Sequence, residues 1–286
     1  MDIIRNKPVL SVNLNGDLVT LNPPLVMGIL NVTPDSFYAG SRCKSGEAVA
    51  LRAREIVEQG GSIIDIGAYS SRPQAEDISA EEEMSRLSGA LKIIRAIYPD
   101  VYISVDTFRA DVARRCVEEF GVSIINDISG GELDDKMFDT VADLQVPYIL
   151  MHMRGTPQTM QQYTDYENIV ADLLTYFSRK TDKLRLMGVN DIILDPGFGF
   201  SKTLDDNYLL MSGLSDFQTF GLPLLAGVSR KSMIYKFLGT TPEESLTGTT
   251  VLNTLALLGG ADILRVHDVR EAVETVKIVT KTLTIG

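Results

Sequence analysis

The sequence predicts one α/β domain folded as a (β/α)8 barrel, with a short N-terminal β-hairpin and an extra helix between strands 7 and 8. Three observations carry that reading. Short apolar runs recur eight times, at 25–30, 62–66, 101–105, 122–125, 147–151, 191–194, 223–226 and 262–264. Each run ends on a polar, charged or glycine-flanked cluster, beginning at Asn31, Ser70, Asp106, Asn126, His152, Asp195, Ser229 and Arg265. The segments between runs read as helix, and 286 residues is an ordinary length for such a barrel. The active site of this fold forms at the C-terminal ends of its strands, so the eight clusters are the candidate functional residues in order.

Residues 9–21 alternate loosely around Asn15-Gly16, a two-residue hairpin signal because both central positions need positive φ. A small hairpin within 1–24 is expected to cover the lower end of the barrel formed by 25–286. The first crossover helix spans 45–59, with Gly60-Gly61 ending it. Ser79 and Glu82 form a capping-box pattern for the second helix, which ends near Pro99. Helices follow at 109–120, closed by Gly121, then at 134–144, at 166–187 before Gly188, and at 204–217. After the seventh run two helices appear, 231–238 and 245–258, an elaboration common in phosphate-binding barrels. The last helix opens at Asp268 with Glu271 as its capping partner. Strands buried on both faces suit continuous runs such as Ile192-Ile193-Leu194.

No linker or low-complexity tract divides the chain, so 1–286 reads as one domain. A net charge of −11 argues against general nucleic-acid or anionic-membrane binding. Cys43 and Cys116 lack metal or redox spacing and read as free thiols of a reducing compartment. The N-terminus lacks the apolar core of a signal peptide, and no run reaches a membrane span, so the expected location is the cytosol.

The clusters suggest chemistry. Asn31 and Asp35 share a loop and offer oxygens to a hard cation such as Mg2+, although a polar Asx turn fits the same residues. Ser71 beside Arg72 suits phosphate oxygens, or is a surface loop. Asp106 and Asn126 could read the edge of a heterocycle, while Asp106 could equally cap the helix that begins near Arg109. The most specific stretch is Asp195-Pro196-Gly197-Phe198-Gly199-Phe200, an acidic strand end followed by glycines that allow close ligand approach. Ser229-Arg230-Lys231-Ser232 stands before a helix and reads as an anion site. Arg265 and His267 point to one side by alternation and together could hold a diphosphate. His152 is as well explained by strand-end packing as by ligation. No zinc constellation, catalytic triad or P-loop is visible.

In this order the clusters resemble the dihydropteroate synthases of bacterial folate synthesis. The likeness runs from about Leu25 to the last helix and is densest in GILNVTPDSF, SVDTFRADVA, INDISGG, ILDPGFGFSK, GVSRKS and LRVHDV. It implies condensation of a dihydropterin methyl diphosphate with 4-aminobenzoate, Mg2+ as cofactor, sulfonamide inhibitors and a homodimer through late helices. It further implies a pterin site of Asp106, Asn126, Met151, Asp195, Phe200 and Lys231. Diphosphate falls to Asn31, Arg72, Arg265 and His267, with Asn31 and Asp35 near the metal. Aminobenzoate falls to Phe37, Ser71, Pro73, Phe200, Lys231 and Ser232. The catalytic set is then Asn31, Arg72, Asp106, Lys231, Arg265 and His267. The chain departs from the family's usual Gly-Glu-Ser-Thr-Arg-Pro-Gly by carrying Ala68, Tyr69, Ser71 and Gln74, and it has Ser201 where a glycine is usual before Lys202. Two rival readings are a pterin-binding methyltransferase domain and a non-catalytic pterin-binding barrel. The first has no use for the anion clusters, and the second predicts their erosion, which the sequence does not show.

Overall fold

The computed structural model describes residues 8–32, 42–69 and 77–285. Strands β1 (Ser11–Leu14) and β2 (Asp17–Thr20) form the expected antiparallel hairpin. Asn15 and Gly16 take positive φ at its tip, and the Gly16 N–H donates to Asn13 Oδ1 at 2.8 Å. Eight parallel strands follow: β3 (Leu25–Asn31), β4 (Ile63–Gly67), β5 (Tyr102–Asp106), β6 (Ile124–Asp127), β7 (Tyr148–Met151), β8 (Ile192–Asp195), β9 (Leu225–Ala226) and β10 (Ile263–Val266). Sequential neighbours pair from β3 to β8, and β10 lies between β3 and β9. A parallel bridge between Leu194 and Leu224 closes the ring. Every predicted strand is present, with each end within two residues of that expected.

Alternation along the strands sorts the side chains into an inner and an outer set. Ile64 and Ile66 join the outer core, under helices α1 (Arg42–Glu58) and α2 (Ala80–Ile97). Met27, Ile63, Ile124, Ile149, Ile193, Leu225 and Ile263 form an inner apolar layer instead. Val12, Leu14 and Leu21 of the hairpin segment pack into that layer, so the hairpin plugs the lower end of the barrel. Two residues further along, the inner positions of five strands turn polar: Asp65, Ser104, Asn126, Asp195 and Arg265. The barrel is therefore apolar and closed at one end and polar at the other.

The remaining helices are α3 (Ala110–Phe120), α4 (Met137–Leu144), α5 (Ile169–Leu186), α6 (Leu204–Ser212), α7 (Ser232–Leu238), α8 (Leu246–Leu258) and α9 (Val269–Ile285). The extra helix appears as the pair α7 and α8 between β9 and β10. Three local expectations are corrected. Ser79 caps α2 by accepting the Glu82 N–H, but the Glu82 carboxylate pairs with Arg86 rather than returning to Ser79, so only half the box forms. Asp268 places both carboxylate oxygens on Arg230, which removes it as the cap of α9. The expected helix 204–217 breaks at Gly213, where a Cβ would stand 2.7 Å from Val170 of α5, and the chain continues as a 3-10 turn, Leu214–Phe220. Both halves of a capping box form instead at Thr203 and Asp206, opening α6. Among the described residues no helix is long and apolar enough to cross a membrane.

Leu14 is fully buried in the plug. Leu14→Ala leaves an apolar cavity at the lower end and should cost about 2–5 kcal/mol, read from urea unfolding. A loss below about 1 kcal/mol would show that the hairpin is dispensable to the barrel.

Candidate active site at the barrel mouth

Arg265 on β10 reaches across the inner face of the barrel. Its Nε donates to Asp65 Oδ2 at 2.6 Å and its Nη2 to Asp106 Oδ2 at 2.7 Å. Asn126 donates its side-chain amide to the two Asp65 oxygens at 3.3 and 3.4 Å. Asp65, fully buried, is thus the hub that orients an arginine and an amide from different strands. Sequence reasoning missed it, because it sits inside a run read as continuously apolar. The available signal was a carboxylate in a strand buried on both faces, two residues after an inward Ile63.

The alternative in which Asp106 caps α3 is excluded. The Arg109 N–H donates to Thr107 Oγ1 and the Ala110 N–H to Asp134 Oδ2, so other groups serve that helix start. Burial pushes the Asp106 carboxyl up to about 7; Arg265 opposes this, and the neighbouring Asp65 charge adds to it. Two carboxylates share one guanidinium here, so the second negative charge is poorly compensated. Asn31 ends β3 at the rim. A Cβ placed on Gly67 would lie 3.7 Å from Asn31 Oδ1 and 3.3 Å from Asp106 Cβ, so glycine lets these two polar groups flank one strand end.

The 195–201 turn supplies the opposite wall. Asp195 Oδ1 accepts the Gly197 N–H at 2.8 Å, and the Gly199 N–H donates to Asn207 Oδ1 at 2.6 Å. Gly197 has positive φ, and a Cβ there would stand 2.2 Å from the His152 carbonyl, so only glycine fits. Lys231 Nζ donates to the Phe198 carbonyl at 2.5 Å and lies 4.8 Å from the centre of the Phe200 ring. Burial holds the Asp195 carboxyl above its usual range against the pull of Lys231, and lowers the Lys231 ammonium to about 8 against the pull of Asp195. Met151 is buried with Ile128, Met153 and Met160, and with half-buried Phe108, Leu133 and Phe200 these form an apolar wall beside the polar groups.

His267 lies under the same field. Burial first, then Arg265 and Arg52, lower its imidazole to about 4, so the ring is neutral at neutral pH. Its backbone N–H donates to Ser229 Oγ at 3.1 Å. The 229–232 anion cluster needs one correction. Arg230 is committed to Asp268 and to the carbonyls of Pro242 and Glu243, which takes it out of the cluster and leaves Ser229 beside His267 and Lys231 beside Phe198, with Ser232 opening α7. His152 takes the packing alternative: it is buried, stacks edge-on against Tyr176 at 4.8 Å and meets Lys202 Nζ at 3.1 Å. Lys202 is a second residue that sequence reasoning did not single out. Asp35, Phe37, Ser71, Arg72 and Pro73 lie outside the described residues. Among the described residues no group of three His, Cys, Asp or Glu side chains is placed to hold a metal.

Of the departures noted in the sequence, Ser71 and Gln74 lie outside the described residues, and Tyr69 and Ser201 have structural roles. Tyr69 accepts a hydrogen bond from Gln158 at 2.7 Å and packs edge-on against Phe108, linking three loops of the rim. Ser201 holds a positive φ of 47°, a conformation natural to glycine, and is tied by Tyr166 donating to its carbonyl and by the Arg154 N–H donating to its hydroxyl.

The family of pterin binding enzymes matches residues 27–267. The dihydropteroate synthase of Synechocystis is 43% identical over 256 residues, covering 88% of each chain. That of Escherichia coli K12 is 40% identical over 270 residues, covering 94% of this chain and 95% of its own. Among solved structures, Yersinia pestis dihydropteroate synthase in a sulfonamide drug complex superposes with a TM-score of 0.89 at 36% identity, over 96% of this chain and all of the other. Xanthomonas albilineans dihydropteroate synthase with 4-aminobenzoic acid gives 0.89 at 33%, over 98% of this chain and all of the other.

The raised Asp106 carboxyl has a signed consequence. Its folded value of about 7 lies above the ordinary 3.8, so the folded state holds a proton that the unfolded state has released. Its contribution to stability therefore falls as pH rises from about 4 to about 7. Asp106→Asn should remove that fall. Urea midpoints of both proteins at pH 5 and pH 7.5 check it, and parallel changes in the two would contradict the assignment.

Proposed function

This chain belongs to the pterin-binding enzymes and, within them, to the dihydropteroate synthases, and on that premise we propose a division of labour among the residues of its barrel mouth. The reaction joins a dihydropterin methyl diphosphate to 4-aminobenzoate and releases diphosphate. The observation that carries the residue assignment is the convergence of Asp106, Asn126 and Asp195 on inner strand ends with Lys231 before α7, and Arg265 held between Asp65 and Asp106.

Asp195 takes two parallel hydrogen bonds from the amino and ring N–H groups of the pterin edge, as a carboxylate does from a guanidinium. Its bond from the Gly197 N–H uses one lone pair and leaves others for the ligand. Asn126 and Asp106 read the far side of the ring. Lys231 binds a ring acceptor, and Met151 and Phe200 line the ring faces. Diphosphate meets Asn31, Arg72, Arg265 and His267. Anchoring Arg265 on two carboxylates presets the cation where charge develops as the C–O bond breaks, so little reorganisation is needed. His267, neutral without ligand, serves as a hydrogen-bond donor. The electron-rich pterin spreads the charge left on its methylene, and the neutral aniline nitrogen attacks there. No covalent enzyme nucleophile is required. Phe37, Ser71, Pro73, Phe200, Lys231 and Ser232 form the aminobenzoate site.

Mg2+ is the proposed cofactor. Asn31, at the rim, offers its side-chain oxygen, and Asp35 is the proposed second ligand; when bound, the ion would supply positive charge to the leaving diphosphate. The reducing cytosol is the proposed compartment, consistent with the buried free thiol of Cys116.

The assay is diphosphate release with each substrate withheld in turn. Release should need both substrates, fall on metal removal and return with Mg2+. Asp195→Ala should lose pterin diphosphate affinity by roughly 1.5–3 kcal/mol or more in calorimetry, with an unchanged circular dichroism spectrum. Native affinity in that variant would defeat the pterin assignment, and full activity after chelation would defeat the metal.

A homodimer is proposed through α6, α7 and α8, where Leu209, Phe237, Leu238, Val251 and Leu255 expose apolar surface and the Tyr208 and Phe237 rings pack at 5.3 Å. Sedimentation should give a dimer, converted to monomer by Val251→Glu with Leu255→Glu. A native monomer at micromolar concentration would rule the dimer out.

A further inference from the structure

Lys202 stands outside the proposed contacts with substrate, yet among the described lysines it is the most fully enclosed, 4% exposed. Its Nζ donates to the carbonyls of Gly197 and Phe200 at 2.9 Å each, meets His152 Nδ1 at 3.1 Å and lies 3.4 Å from the His152 carbonyl. Three donors of an ammonium group thus face three close acceptors. The turn they hold is costly to shape. Gly197, Gly199 and Ser201 all have positive φ, with Ser201 paying a steric penalty that glycine avoids. The turn presents Asp195 through the Gly197 N–H, and Lys231 through the Phe198 carbonyl and the Phe200 ring.

We propose that Lys202 is a positioning residue for the pterin half of the reaction: its ammonium group sets the shape of the 195–201 turn, and through it the separation of Asp195 from Lys231. The proposal rests on the pterin assignment above. Lys202 does not touch the ligand; it orders the backbone that orders two groups that do. A packed hydrocarbon chain could fill the same space but would leave the Phe200 carbonyl without a donor and the Gly197 carbonyl with the Phe200 N–H alone, and the turn would lose its fixed form.

The groups facing Lys202 are Asp195 at the end of β8, Lys231 before α7, His152 and Arg154 after β7, and Asp206 on α6. Burial chiefly, against the attraction of Asp195, lowers the Lys202 ammonium to about 7. A neutral amine has two donors for the same acceptors, so the tie weakens as pH rises through that value.

The test compares native enzyme with Lys202→Met, using calorimetric binding of 6-hydroxymethylpterin from pH 6 to pH 9. At pH 6 the variant should bind roughly ten- to a hundredfold more weakly. The ratio of the two affinities should shrink toward pH 9, because the native Lys202 loses its proton over this range while the titration of Asp106 is common to both proteins. A ratio near one at pH 6, or a ratio constant across the range, overturns the proposal; a lysine that merely stabilised the fold would give the constant ratio. Should Lys202→Met fail to fold, or the native enzyme bind no pterin, amide exchange of Gly199 and Phe200 in the native protein decides. Protection corrected for intrinsic exchange should fall between pH 6 and pH 9, and a flat profile overturns the role of Lys202. Absence of pterin binding by the native enzyme would instead remove the pterin assignment and leave the exchange result to stand for the turn.

Discussion

The guanidinium of Arg265, laid between Asp65 and Asp106, is the contact on which the mouth of this barrel depends. It joins residues 200 and 159 positions apart in the chain, from β10 to β4 and β5. Removing one partner of such a buried set leaves an uncompensated charge and typically costs about 3–5 kcal/mol. The arrangement also turns Asn126 through its bonds to Asp65, so one buried carboxylate orients groups from two further strands. Burial raises the Asp106 carboxyl far above the ordinary carboxylate range, and the second carboxylate of Asp65 beside the one cation adds to the rise.

A cluster of this kind is tolerable because the other end of the barrel is apolar and sealed. Val12, Leu14 and Leu21 fill the lower opening against a layer of inner aliphatic side chains. Burial there supplies stability at about 25 cal/mol per Å2 of apolar surface, with no demand on the polar end. On five of the eight strands polar inner residues begin only two positions further along. The same period of two that hides Ile63 brings Asp65 to the hub.

The 195–202 segment repeats this economy on a smaller scale. Glycine is required at 197 by the His152 carbonyl, and the backbone so released gives its oxygens to two lysines, Lys202 from within and Lys231 from the mouth. Lys231 thereby meets Asp195 and Phe200 in one place. Ser201 shows that strain at this turn is held by neighbours: Tyr166 donates to its carbonyl, and its hydroxyl accepts the Arg154 N–H.

The sequence by itself determined the eight strands, the hairpin at Asn15-Gly16, the doubled helix before β10 and most residues at the strand ends. Those features rest on short-range periodicity and on turn residues whose φ preference is intrinsic, so neighbours in the chain suffice to read them. Only the tertiary structure decided that Asp106 faces Arg265 instead of capping α3, that Arg230 serves Asp268 and not the anion site, that His152 packs against Lys202, and that Asp65 is the hub. Each of those outcomes depends on a partner brought close by closure of the barrel, far away in sequence. A carboxylate in an apolar run, or a lysine after a glycine-rich turn, has the same local pattern whether it is buried and paired or solvated, and the difference is made by what the fold places opposite it.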